Sequence, residues 1–335
     1  MSKSRLAGVF VAIVTVIVLL GAVAPLLAST SGSQGRTATN ASILEPSSHL
    51  VDVPDQTGNV TVDAGAESKV VVIDRSHANG FTRAQIQPFV RSLVEAGHEV
   101  RFHGSGKQQQ FQSKGINRSL RGADALVVIA PQKPFASGEV KGVTDFANRG
   151  GRVLMLAEPS RTEVSGGLMS GISVTQVSTE LTSIASQFDV AVGTGYLYNM
   201  HENANNFQHV YATPPNESQS IEGVERAVFQ RATPVAANGS SAEVLLTATN
   251  RTRLSTTRAN EQYGVAARSG NATVIGDATF LSPSNYATAD NEVLIGHAIE
   301  FLVTGSKTAK QAPTQTDRGQ NVTQRFPQPG SRQTP

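Results

Sequence analysis

Between residues 69 and 157 the apolar positions follow two alternating rhythms. Three short apolar runs, within Lys69 to Arg75, Leu126 to Ala130 and Arg152 to Ala157, are rich in Val, Ile and Leu, and His98-EVRF-His103 reads as a further strand. Unbroken apolar runs of this length suit strands buried on both faces, as in a parallel sheet. Between them the spacing turns helical. Thr82 is placed to cap a helix through Ile86, Phe89, Val90, Leu93 and Val94, which Gly97 ends. Ser137 is placed to cap a second through Val140, Val143 and Phe146, closed by Arg149-Gly150-Gly151. This alternation predicts a parallel sheet with helices on both faces.

The pattern weakens after residue 157. A helix is expected over 180–187, strand-like pieces at Val224–Arg231, Ala242–Thr249, Tyr263–Arg268 and Ala272–Asp277, and a closing helix over Asn291–Leu302. Gly270-Asn271 reads as a hairpin turn. Residues 29–66, rich in Ser, Thr, Gly and Asn, read as a flexible tether, and residues 306–335 as a disordered polar tail. The folded domain is therefore expected over 67–305, with no internal repeat.

The N-terminus changes the picture. Leu6 to Ala28 carries no charge over 23 residues, and a helix of about 20 apolar residues crosses a bilayer core. Lys3 and Arg5 precede this run and no basic residue follows until Arg36, so the positive-inside rule exports the remainder. An uncleaved anchor over 1–28 is expected, with a signal peptide cleaved after Ala22-Val23-Ala24 as the alternative. Both put the domain outside the cytoplasm, and the anchor holds it at the cell membrane. Asn-X-Ser/Thr occurs at Asn40, Asn59, Asn117, Asn216, Asn238, Asn250, Asn271 and Asn321, which fits an exported glycoprotein.

The net charge of +2 is unevenly spread. Lys3 and Arg5 give one end +2, and two Lys and three Arg against Asp317 give the other +4, leaving residues 6–305 at −4. A nucleic-acid binder would concentrate positive charge on its folded part, so no nucleic-acid partner is expected. The chain has no Cys. Disulfides, thiolate zinc sites, iron–sulfur clusters and cysteine nucleophiles are excluded.

VVIDRSHANGF, GADALVVIAPQKPF and VTDFANRGGRVLMLAEPSR, in this order, resemble the class I glutamine-amidotransferase-like fold. The order is similar to that of substrate-binding-like subunits of gliding-type transport systems and of a membrane-anchored family, domain of unknown function 4350. GNATVIGDATFLSPSNYATADNEVLIGHAIEFL resembles that family's closing strand, acidic loop and helix, and YLYNMHENANNF its middle landmark. The resemblance spans residues 69–303. It implies a flavodoxin-like, class I glutamine-amidotransferase-like α/β sheet with helices on both faces, here preceded by one transmembrane helix. It further implies archaeal relatives and work beside a transport or envelope-assembly system. Amidotransferases of this fold place a Cys on the sharp turn after a central strand; here the corresponding Leu126–Ala130 strand runs into Pro131, and neither Cys nor Ser stands at the turn.

Ligands of open α/β sheets bind outside the carboxyl ends of the strands. That edge holds Asp74, Arg75, Ser76, His77 and Asn79 after the first strand, Glu158 and Arg161 after the fourth, and Asp277 after the last. Asp74, His77 and Asp277 would make a divalent-metal or polar-ligand site if their loops converge. Alternatively, Asp74 and Asn79 cap a turn. Asn285 and Asp290 are loop and cap residues by position and ligand candidates by their closeness to the strand ends. Ser76-His77 lacks the G-x-S-x-G context of a serine hydrolase. Tyr196, Tyr198, His201 and Glu202 form either an aromatic patch or a docking loop. No cofactor is implied. The expected role is a membrane-tethered, extracytoplasmic, non-catalytic binding or accessory module. The alternatives are a carboxylate-dependent hydrolase and a transporter's solute-binding component.

Overall fold

A computed structural model of the chain describes residues 54–56, 58–63, 67–104, 115–167, 171–215 and 221–308. The expected anchor at 6–28, most of the tether and the tail after residue 308 lie outside these residues. Among the described residues no helix is long and apolar enough to cross a membrane.

The first rhythm of the sequence becomes four parallel strands, β1 (Val70–Asp74), β2 (Glu99–His103), β3 (Ala125–Ile129) and β4 (Arg152–Leu156). The second becomes α1 (Gln87–Glu95), α2 (Ile116–Arg121) and α3 (Ser137–Asn148). Two caps differ from expectation. Helix α1 begins five residues after Thr82, because Pro88 has no N–H for the preceding turn and Thr82 instead closes a separate turn with Gln85. Ser137 is the first helical residue of α3 and Ala136 is the cap, its N–H donating to Glu139 Oε2 at 3.0 Å.

The later chain adds a hairpin, β5 (Arg161–Gly167) and β6 (Gly171–Val177), then α4 (Thr182–Ala185). Strands β7 (Val190–Val192), β8 (Leu197–Tyr198), β9 (His209–Thr213), β10 (Ala227–Gln230) and β11 (Val235–Ala237) follow. After them come β12 (Ala242–Ala248), β13 (Arg253–Leu254), β14 (Gly264–Ser269), β15 (Ala272–Ile275) and α5 (Asn291–Val303).

Nine strands form one sheet in the order β2-β1-β3-β4-β15-β14-β12-β9-β10. The first five are parallel and the rest antiparallel. The expected parallel sheet is thus present in the first five strands, and the sheet as a whole is mixed. The cause is local: Gly270, at φ +52°, turns β14 back onto β15 within two residues. Helices cover both faces. Val71, Ile73, Val127, Ile129 and Leu154 pack on Phe89 and Leu93 of α1 and on Ile295 and Leu302 of α5. Their alternates Val72, Leu126, Val128 and Val153 pack on Leu120 of α2 and on Val143 and Phe146 of α3. The inner strands β1, β3 and β4 therefore carry apolar runs, whereas β2, at the sheet edge, keeps Glu99 and Arg101.

The domain takes in residues that the composition assigns to the tether and tail. Val60 and Val62 pack on the core, Asp55 accepts the Ala289 N–H at 2.7 Å, and Asp63 N donates to Glu300 at 2.9 Å. Lys307 donates its ammonium to the Leu120, Arg121 and Ala123 carbonyls at the end of α2. A basic side chain there satisfies carbonyls that the helix leaves without partners.

Candidate functional site

Strand β1 is followed in the chain by β2 on one side of it, and then by β3 on the other. The loops leaving β1 and β3 consequently diverge, opening the crevice in which α/β sheets place ligands. Asp74, at the end of β1, is fully buried. Its Oδ1 accepts from Ser76 N (3.0 Å) and Ser76 Oγ (2.7 Å), a turn that an aspartate sets by bonding the backbone two residues on. Asn79 accepts the His77 N–H and donates to the Ile129 carbonyl at 2.9 Å, which pins this loop to β3. The His77 carbonyl in turn accepts the Gln132 and Lys133 N–H groups.

This bracing fixes the His77 ring. It stacks on Phe135 with centroids 3.6 Å apart. Its Nδ1 lies 2.8 Å from Asp74 Oδ2 and its Nε2 3.3 Å from Glu139 Oε2. Burial disfavours charge on the ring, but the hydrogen bonds and charges of Asp74 and Glu139 outweigh it and raise the pKa to about 9. Burial likewise opposes ionisation of Asp74, yet the bonds from His77 and Ser76 hold it below its usual value. The His77 bond, against burial, lowers Glu139 too. At neutral pH the three form carboxylate, imidazolium and carboxylate, and both ring nitrogens are donors.

That arrangement limits the chemistry. A serine nucleophile needs a histidine nitrogen free to take its proton. Ser76 Oγ is 3.0 Å from Nδ1, but Nδ1 already donates to Asp74, as does the hydroxyl. On the other loop Ala130 has φ +40° directly after β3. This sharp turn holds a methyl group and no hydroxyl or thiol. Asn79, a candidate by position, serves to brace the loop.

The crevice has a volume of about 940 Å³ and is lined by Arg75, Arg118, Lys133, His103 and Glu139, among others, over a partly apolar floor that includes Val72 and Phe102. His103 donates to or accepts from Ser119 Oγ at 2.8 Å, and burial lowers its pKa. Glu139, Arg118, Lys133 and His103 were not legible as site residues. Glu139 is 62 positions from its partner; the one clue is a Glu three residues after the Ala136 cap of α3, at the strand edge that faces a ligand.

The remaining candidates fall elsewhere. Asp277 does not join Asp74 and His77: β15 is three strands from β1, about 14 Å at the usual spacing. Among the described residues no group of three or more His, Cys, Asp or Glu could hold a metal. Asp277 meets Glu158 instead, at the ends of the adjacent strands β15 and β4. Its oxygens accept from Thr279 N (2.7 Å), Thr279 Oγ1 (2.6 Å) and Gln230 N (2.7 Å). Glu158 Oε1 accepts the Ala278 N–H at 3.0 Å. Burial, then the Asp277 charge, push Glu158 up to about 8; burial pushes Asp277 up to about 6 against the pull of its donors. The pair shares a proton at neutral pH.

Asn285 and Asp290 are structural. Asn285 bonds Gln230 and the Thr279 carbonyl, and Asp290 accepts the Glu225 and Arg226 N–H groups. In the Tyr196–Phe207 stretch, buried Asn199 organises the loop by accepting the His201 and Glu202 N–H groups. Among the sequons, Asn117 is corrected: it is buried under α3 and donates to the Gly138 carbonyl at 2.9 Å, leaving no room for a glycan. Asn271 donates to the Ala147 carbonyl. Asn59, Asn238 and Asn250 are exposed, and Asn40, Asn216 and Asn321 lie outside the described residues.

The chain matches no protein-family profile, and no curated protein matches it. Solved structures do. The mmIFT52 N-terminal domain is 11% identical and aligns over 71% of this chain and 99% of its own, with a TM-score of 0.53. A ThuA-like protein from Parabacteroides merdae (9% identical; 74% of this chain and 100% of its own) gives 0.39. The glutaminase domain of Trypanosoma brucei CTPS with bound acivicin (9% identical; 74% and 98%) gives 0.36. The first likeness shows a shared mixed α/β fold and nothing of function; the other two scores are too low to carry weight.

Proposed function

We propose that the chain is a non-catalytic binding or accessory module on an amidotransferase-like α/β domain, tethered to the membrane outside the cytoplasm, with the β1/β3 crevice as its binding locus. One observation carries the absence of catalysis: His77, the imidazole beside Asp74 and Ser76, is an imidazolium held between Asp74 and Glu139. The turn after β3 holds Ala130, and the crevice's other imidazole, His103, is bonded to Ser119. The anchor and orientation rest on the uncharged run 6–28 and on Lys3 and Arg5. The hydrolase reading needs two carboxylates converging in a cleft. Glu158 and Asp277 do converge, but Asp277 is fully buried and its oxygens are occupied by donors.

The test is turnover. The full chain is incubated with glutamine, asparagine and activated esters beside its His77→Gln variant. Equal background rates support the proposal. Turnover in the parent that the variant loses refutes it. Protease shaving of intact cells checks the topology; a protected domain would contradict the exported orientation.

A further inference from the structure

The crevice differs in charge from the chain around it. Residues 6–305 sum to −4, yet the lining includes Arg75, Arg101, Arg118 and Lys133 against a single carboxylate, Glu139. Not all of these charges are available. Arg101 is taken by Glu99, through two bonds of 2.7 and 2.8 Å, and Glu139 is taken by His77 and the Ala136 N–H. Among the described residues Arg75, Arg118 and Lys133 have no carboxylate partner. Three cations without a carboxylate partner therefore line one concavity, Arg75 with its guanidinium over the Phe81 ring at 5.6 Å.

They also arrive from three elements, which argues against a solvated helix face. Arg75 leaves β1, Lys133 leaves β3, and Arg118 projects from α2. Two of the three backbones are braced: Arg75 N donates to the His103 carbonyl at 2.8 Å, and Lys133 N to the His77 carbonyl at 3.1 Å. Cations placed in advance over a partly apolar floor bind anions with little ordering cost. A volume of about 940 Å³ suits a small molecule rather than one bare ion.

We infer that the crevice binds a small multiply charged oxyanion, held by Arg75, Arg118 and Lys133. This rests on the binding locus proposed above and adds its ligand class. Phosphate esters and polycarboxylates share this chemistry. Arginine forks fit both kinds of group in bidentate fashion, and lysine adds a point charge.

The experiment is calorimetric titration of the full chain with inorganic pyrophosphate, with citrate, and with sucrose as a neutral control, at low and high salt. The parent binds at least one anion and not sucrose, and affinity falls with salt. Tighter pyrophosphate binding assigns the phosphate source, and tighter citrate binding the carboxylate source. Arg118→Ala and Lys133→Ala each weaken binding about tenfold, the loss of one charge-assisted contact. Both side chains are exposed, so melting curves should match the parent; Arg118→Lys, which keeps the charge and loses the fork, binds more weakly than the parent and more tightly than Arg118→Ala. Lys141→Ala, which removes a charge from α3 outside the crevice, changes nothing. Failure of both anions to bind overturns the inference, and so does an equal loss in Lys141→Ala, which would show a diffuse field. Sucrose binding alone removes the anionic class but leaves the binding reading standing. Phosphorus NMR separates the converse case: hydrolysis of pyrophosphate that Arg118→Ala abolishes would overturn the non-catalytic reading and keep the anionic class.

Discussion

Glu158→Gln should make the protein more stable in alkali while leaving it unchanged in acid. The Gln amide can donate to Asp277 as the protonated Glu does, so the hydrogen bond survives and the titration disappears. In the parent the folded-state pKa is raised from 4.5 to about 8. A carboxyl raised on folding contributes its full stability below its unfolded pKa and loses it as pH climbs through the folded one. The loss therefore runs from about pH 4.5 to about pH 8. At about 1.4 kcal/mol per pH unit its ceiling is about 5 kcal/mol. Glu158 is only half-buried and Arg161 lies near enough to favour its ionised form, so about 2 kcal/mol is expected. Asp277 declines in the same direction from 3.8 to about 6, and His77 from 6.5 to about 9. The comparison with the variant is therefore what isolates Glu158. Urea denaturation of both proteins at about pH 5 and about pH 9 measures it. Parallel pH profiles for the two would refute the shared proton.

Three further outcomes follow from contacts away from the crevice. Gly142→Ala, which in an exposed helix would gain about 1 kcal/mol, should instead cost about 2 kcal/mol, because a Cβ there meets the Asn117 amide; thermal melts should show recovery in the Asn117→Ala/Gly142→Ala double variant. Lys307→Ala should cost about 1 kcal/mol and speed amide exchange in α2, whose terminal carbonyls Lys307 serves. Expressed in a glycosylating secretory host, the chain should carry no glycan at buried Asn117, read by peptide mass mapping.

The parallel half of the fold was legible because two-sided burial demands apolar residues along the strand, a demand that β3 meets throughout, β1 up to Asp74 at its end and β4 after Arg152 at its start. The hairpin β5–β6 was not. Val164, Ile172 and Val174 on it are exposed, so Ser, Thr and Gly intervene freely and no period stands out. Helix α2 was missed for the opposite reason: six residues are too few to show a helical period. At the site, Asp74 and His77 were legible because the strand's end places them at the ligand edge. Their joining into one network with Glu139 was not, because it depends on how the β1 and β3 loops meet. Asp277 was placed with Asp74 by its position after a strand, yet strand order, which the sequence leaves open, set it beside Glu158. Asn285 and Asp290 look like ligands in sequence because backbone groups call on the same polar side chains that ligands do: the Thr279 carbonyl accepts the Asn285 amide, and the Arg226 N–H donates to Asp290.

The protonation state of His77 tests the central claim most directly. Nitrogen-resolved NMR of the imidazole groups in the full chain should find both His77 nitrogens protonated through about pH 8, with loss of the proton centred near 9. A His77 that titrates near its ordinary 6.5, with one nitrogen free at neutral pH, would place a base beside Asp74 and Ser76 and would contradict the account.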